Sequence, residues 1–216
     1  MDIRLLFRSF LALTPGIVIA IMIHEFVHYR LYLYFTGFKK RDLPSLGFIK
    51  RFDPLGLLMY YLFNFGWSRP YPINYWKLKR KGTSKALLTA FSGPIANFLV
   101  GFATAVVLFF TDLNVFCTVT NEAPIAFPFM NYISDALYWT MLVNFNTSLF
   151  NLLPLPPLDG SSVLMVLVPE EQVQWLAKYQ LYGLLALVVL SLLGIIQLIM
   201  WPITKLTSFL ALVLTS

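Results

Sequence analysis

Apolar residues in this chain fall in long unbroken runs rather than in alternation. Residues 16–23 carry no polar side chain, and 31–35 is nearly as apolar. Thr14-Pro15 puts a proline in a first helical turn and Gly37 supplies a stop. The pattern predicts a helix over 15–36, about 33 Å long and enough to cross a bilayer. Further spans are predicted at 86–110, 131–153 and 181–201. The run 55–65, about 11 residues, is too short to cross. It contains Gly56 and lies between Pro54 and Gly66, so 54–74 is expected to be a re-entrant or short β-hairpin segment. Within it, Pro70 and Pro72 should keep 67–73 extended. The third span breaks at Pro154, Pro156 and Pro157 and resumes after Gly160, giving a proline-broken continuation over 154–168. Residues 1–13, interrupted by Arg8, read as a short interfacial helix rather than a signal peptide. The apolar tail from Pro202 is expected to pack back on the bundle. The chain thus reads as one all-α polytopic membrane domain over 1–216, with about four transmembrane helices.

Composition agrees: 58% of residues are hydrophobic and 12% charged, against about 25% charged in a soluble domain. The net charge of +6 is not a nucleic-acid footprint, because the basic residues cluster beside apolar spans. Eleven of them lie between Lys39 and Lys85, whereas 111–130 holds no Lys or Arg. By the positive-inside rule the first stretch is cytoplasmic, and so is the 54–74 segment. The first span then runs inward. Arg4 and Arg8 count weakly against this orientation. The single Cys117 excludes an intrachain disulfide.

The chemistry sits in the first span. The chain has two histidines, and they form His24-Glu25-Phe26-Val27-His28, an H-E-x-x-H pattern. On a helix, positions i and i+4 share a face, so two imidazoles can grip one metal ion while Glu25 reaches a water beside it. In a soluble helix the pattern is weak, since such residues are common on solvated faces. Within an apolar span, ionisable groups are costly and usually functional. The alternative is a polar network between helices with no metal. Zinc with an open catalytic position needs a third protein ligand. No third histidine exists, so a metzincin-type site is excluded. Among the acids Asp159 stands out, because the prolines before it can bend a carboxylate toward the first span. Its alternative role is to cap the helix after Gly160. Asp53, just before Pro54, reads better as a turn residue.

These residues together resemble the site-2 protease family of intramembrane zinc metalloproteases, in its compact prokaryotic branch. His24, Glu25 and His28 match that family's H-E-x-x-H helix, and Asp159-Gly160 its later Asp-Gly. Ser92-Gly93-Pro94-Ile95-Ala96-Asn97 resembles its Gly-Pro-x-x-Asn helix. Asp53-Pro54-Leu55-Gly56 and the stretch from Phe65 to Asn74 resemble further segments, and the likeness covers about 16–168. The resemblance implies one Zn2+ per chain on His24, His28 and Asp159, with Glu25 as catalytic base. It places Asn151, Asn97 and Tyr71 among the substrate contacts. It further implies a transmembrane protein as substrate, cut within or near its membrane helix, and a prokaryotic cell membrane as location, with the active site toward the cytoplasmic half. There is no room for a PDZ domain between the motifs and no CBS domain after the last span, so control through such modules is not implied. The competing reading is a non-proteolytic metal-binding membrane protein, a transporter or an inactive chaperone. A transporter would usually show polar groups along a path, whereas here they gather at one place.

Overall fold

A computed structural model describes residues 3–39, 48–111, 128–169 and 180–215. Residues 112–127, with Cys117, and the basic pair Lys40-Arg41 lie outside them. Among the described residues there is no β-strand. The α-helices are α1 (Ile3–Thr36), α2 (Pro54–Phe63), α3 (Tyr75–Lys81), α4 (Thr83–Phe110), α5 (Pro128–Phe150), α6 (Asp159–Leu167), α7 (Gln180–Leu192) and α8 (Ile195–Thr215).

The helix expected to begin at Pro15 begins at Ile3 and runs through that proline, so the described residues 3–13 belong to the same helix. The reason is tertiary. Pro15 has no N–H for the carbonyl of Leu11, and the Tyr132 hydroxyl on α5 donates to that carbonyl at 3.2 Å instead. Arg8 is drawn inward by the buried Asp135, with Nη2 2.7 Å from its carboxylate.

Of the two forms expected for 54–74, re-entrant or β-hairpin, the hairpin is absent among the described residues, and a short helix with an extended return stands there. Asp53 caps α2, accepting from the N–H groups of Leu55 and Gly56 at 3.0 Å, with Pro54 opening the helix. This is the turn role read for Asp53. After Asn64 the chain returns extended but unpaired into a ladder. It presses on α2 at Gly56, where an added Cβ would collide with the Trp67 carbonyl oxygen. Helix and extended return thus form one compact unit without strand pairing.

Among the described residues, two helical stretches are long and apolar enough to cross a bilayer, Phe7–Thr36 and Thr83–Phe110; α7 and the first part of α8 make a third only if their 75° bend is counted within one span. The bend falls at Gly194, whose φ of +77° suits glycine. The four-span expectation is therefore met only in part. The span expected at 131–153 is α5, 23 residues long but not in this apolar set. It carries Asp135, Thr140, Asn144, Asn146, Thr147 and Ser148, all buried. It packs chiefly on α1 and α4, so its polar side chains face protein. The outward positions of α4 include Leu88, Ile95, Leu99, Phe102 and Phe110, all exposed, as expected of a surface covered by lipid.

The short basic helix α3 braces the ends of two others. Lys81 Nζ donates to the Thr36 carbonyl at the end of α1 (2.7 Å), and Lys79 Nζ to the Val168 carbonyl at the end of α6 (3.0 Å). Both ammonium groups meet the negative end of a helix dipole. Tyr32, Leu78, Ala86 and Val166 close the apolar core between α1, α3, α4 and α6.

Candidate active site

Helical registry puts His24 and His28 on the same side of α1, one turn apart, and both are buried. Asp159 comes from the far end of the proline-broken turn. It is the first residue of α6, Leu158 holds the cap position, and no side chain caps the helix. Its carboxylate therefore does not take the capping role and turns to α1. Oδ2 lies 2.8 Å from His24 Nε2 and 3.1 Å from His28 Nε2, and the two Nε2 atoms are 3.2 Å apart. One ligand atom from each residue thus falls within 4.8 Å of the others.

The surroundings fit a metal ion. His28 Nδ1 is 2.7 Å from the Thr89 carbonyl oxygen of α4. A carbonyl only accepts, so Nδ1 carries the proton and Nε2 keeps its lone pair for a ligand. Gly93, one turn further along α4, leaves open space beside both rings. An added Cβ there would sit 2.6 Å from His24 Nε2 and collide with His28 Nε2. Two imidazole nitrogens and one carboxylate oxygen form a donor set suited to zinc, with a coordination position left over.

Glu25 is buried next to this group and points to the extended return. Ser68 Oγ donates to its Oε1 at 2.6 Å and the Tyr71 N–H to its Oε2 at 3.0 Å, with Arg51 Nη1 3.8 Å away. Tyr71 is pinned between the Tyr29 ring, 4.4 Å away, and the Arg51 guanidinium, 4.3 Å away. A cavity of about 520 Å3 opens here, with Glu25, His28 and Asp159 on one side and Tyr71, Trp76 and Met165 among its other walls. Tyr75 also lines it, and desolvation holds its phenol well above the ordinary value, so it stays neutral.

The other expected contacts lie elsewhere. Asn151 is buried at the end of α5, where its Nδ2 donates to the Thr147 carbonyl at 2.9 Å and its own carbonyl accepts from the Gly160 N–H at 2.7 Å. That second bond closes the proline turn beside Asp159. Asn97 is wholly buried in α4 and does not line the cavity. Sequence reasoning missed Ser68, Arg51 and Thr89. Thr89 acts through its main chain, which leaves no mark in the sequence. Ser68 stood inside a segment singled out for its prolines.

Comparison with known proteins now adds the class. Residues 12–194 match the family model described as Peptidase family M50, and the chain belongs to that family. It is similar to "Putative zinc metalloprotease YwhC" of Bacillus subtilis (strain 168), 29% identical over 201 residues that cover 89% of this chain and 87% of that protein. No solved structure matches. The chain is an intramembrane zinc metalloprotease, and the non-proteolytic reading is not favoured.

Proposed function

We propose that His24, His28 and Asp159 hold the single zinc ion of this peptidase and that Glu25 is its general base. The observation that carries this reading is the convergence of the two Nε2 atoms and Asp159 Oδ2 within 2.8–3.2 Å, beside a buried glutamate at a cavity. When bound, zinc supplies Lewis acidity that polarises the scissile carbonyl and brings the pKa of water down to about 7. Glu25 takes the proton of the attacking water on a carboxylate oxygen and later delivers it to the leaving amine. Ser68 and Tyr71 each use one lone pair of that carboxylate, and a second remains on each oxygen for the transferred proton. The main-chain carbonyl of Asn151 keeps the Asp159 turn closed, and its side-chain amide, held here by the Thr147 carbonyl, is the group we assign to the substrate backbone.

The substrate in this reading is a transmembrane helix of another protein, opened locally beside the cavity, in the manner of a site-2 protease. Between 69 and 73 the N–H groups of Arg69, Tyr71 and Ile73 are already engaged, and Pro70 and Pro72 have none. The return therefore meets an opened substrate with carbonyl groups, which accept its freed N–H donors. The basic residues from Lys39 to Lys85 support a cytoplasmic position for this side of the molecule.

The test compares wild type, Glu25→Gln, Asp159→Ala and Asn151→Ala in detergent for zinc content and cleavage of transmembrane peptides. Glu25→Gln should keep its zinc and lose about a hundred- to ten-thousand-fold in rate. Asp159→Ala should lose its zinc, and Asn151→Ala should keep zinc and cleave more slowly. Near-normal cleavage by Glu25→Gln, or full zinc in Asp159→Ala, would overturn these assignments.

A further inference from the structure

The two histidines are not supported alike. His28 Nδ1 rests on the Thr89 carbonyl at 2.7 Å, whereas His24 Nδ1 is buried with no hydrogen-bond partner. A histidine that ligates through Nε2 carries its proton on Nδ1, and that N–H needs an acceptor. The acceptor can be located by registry. Thr89, Gly93 and Asn97 follow one another at four-residue intervals, so they form one stripe along α4, with about 6 Å of rise between neighbours. Thr89 meets His28, and Gly93 lies beside both rings. Helix α1 steps from His28 back to His24 over the same four-residue interval, so the next position of the stripe, Asn97, falls on the His24 side. Asn97 is fully buried, and neither its Oδ1 nor its Nδ2 has a partner. An unpaired imidazole donor and an unpaired amide acceptor, buried on facing helices, are complementary.

We propose that Asn97 is a positioning residue for the metal site. It receives the Nδ1–H of His24 through one buried water, which accepts from the imidazole and donates to Asn97 Oδ1. A water suits this site better than a second cation, because His24 Nδ1–H is a donor and repels a positive ion. The role rests on His24 being a zinc ligand, and it differs from a direct substrate contact for Asn97. It acts on zinc affinity through the orientation and basicity of the His24 ring.

Zinc affinity of the intact protein in detergent, measured by chelator competition, tests this without recourse to activity. Asn97→Leu should bind zinc about 10- to 100-fold more weakly, the range for loss of an outer hydrogen-bond partner. Asn97→Asp, which offers an anionic acceptor, should bind at least as tightly as wild type. Asn144→Leu removes another buried amide, on α5, and should leave affinity unchanged. Wild-type affinity in Asn97→Leu, or equal losses in Asn97→Leu and Asn144→Leu, would overturn the proposal. Should the leucine variant fail to fold, the aspartate variant decides alone, and weaker binding there also overturns it. His24→Ala separates the two levels of the argument. If it retains zinc, the ligand assignment fails. If it loses zinc while Asn97→Leu does not weaken binding, only the role of Asn97 fails.

Discussion

The two sides of the cavity are built on opposite terms. On the side of the proposed metal site, three helices converge and the side chains are placed by helix geometry: His24 and His28 one turn apart on α1, Thr89 and Gly93 one turn apart on α4, and Asp159 at the start of α6. On the other side, an irregular backbone from Phe65 to Asn74 is held by its own proline stiffness, an aromatic stack and hydrogen bonds to Glu25. Repetition makes the first side rigid and compact. Spent donors and two prolines make the second a surface that accepts rather than donates. Glu25 is the seam, chemically part of the first and physically gripped by the second.

The largest way to break this contrast is at Gly93. Gly93→Ala places a methyl group against both imidazoles, on a helix that cannot easily retreat. Overpacking of this kind costs about 1–3 kcal/mol, and here it falls on the Nε2 atoms of His24 and His28 proposed as ligands. Zinc should be lost on purification while helix content by circular dichroism is retained; full zinc occupancy would show that the two helices are not locked in register.

A change on the opposite side should spare the metal. Tyr71→Pro removes the N–H that Glu25 accepts, and a hydrogen bond to a charged group is worth about 1.5–3 kcal/mol. Cleavage should fall roughly ten- to a hundredfold with zinc retained, whereas Tyr71→Phe, which keeps the N–H and the ring, should stay close to wild type. Equal rates for the proline and phenylalanine variants would detach Glu25 from the return segment.

The smallest effect comes from the substrate. Glycine in a helix costs about 1 kcal/mol relative to alanine, so a glycine beside the scissile bond should raise cleavage about fivefold over a leucine-matched peptide, by easing local opening. Rates on such a pair are the readout, and indifference would place recognition outside this cavity.

What the sequence disclosed divides along the same seam. The His24–His28 interval and the proline-broken approach to Asp159 were legible because they are local patterns with few alternative uses in an apolar setting. The start of α1 was misplaced because proline signals a helix boundary only when the freed carbonyl has no other donor, and Tyr132 lies far away in sequence. Of the two alternatives for 54–74 only the strand form fails: Asp53-Pro54 carried a good helix-start signal for α2, while the prolines further on drew attention to extended backbone. The stretch 131–153 reads simply as a span; that its buried polar side chains face protein depends on α1 and α4 closing around it. The support given by Thr89 was invisible, since any residue supplies a carbonyl.

The separation of 131 residues between His28 and Asp159 has a consequence in time. During synthesis α1 emerges long before α6 exists, so a nascent chain carries two of the three residues of the proposed ligand set and no complete one. The proposed hydrolytic centre is completed only when the proline turn has left the ribosome and docked.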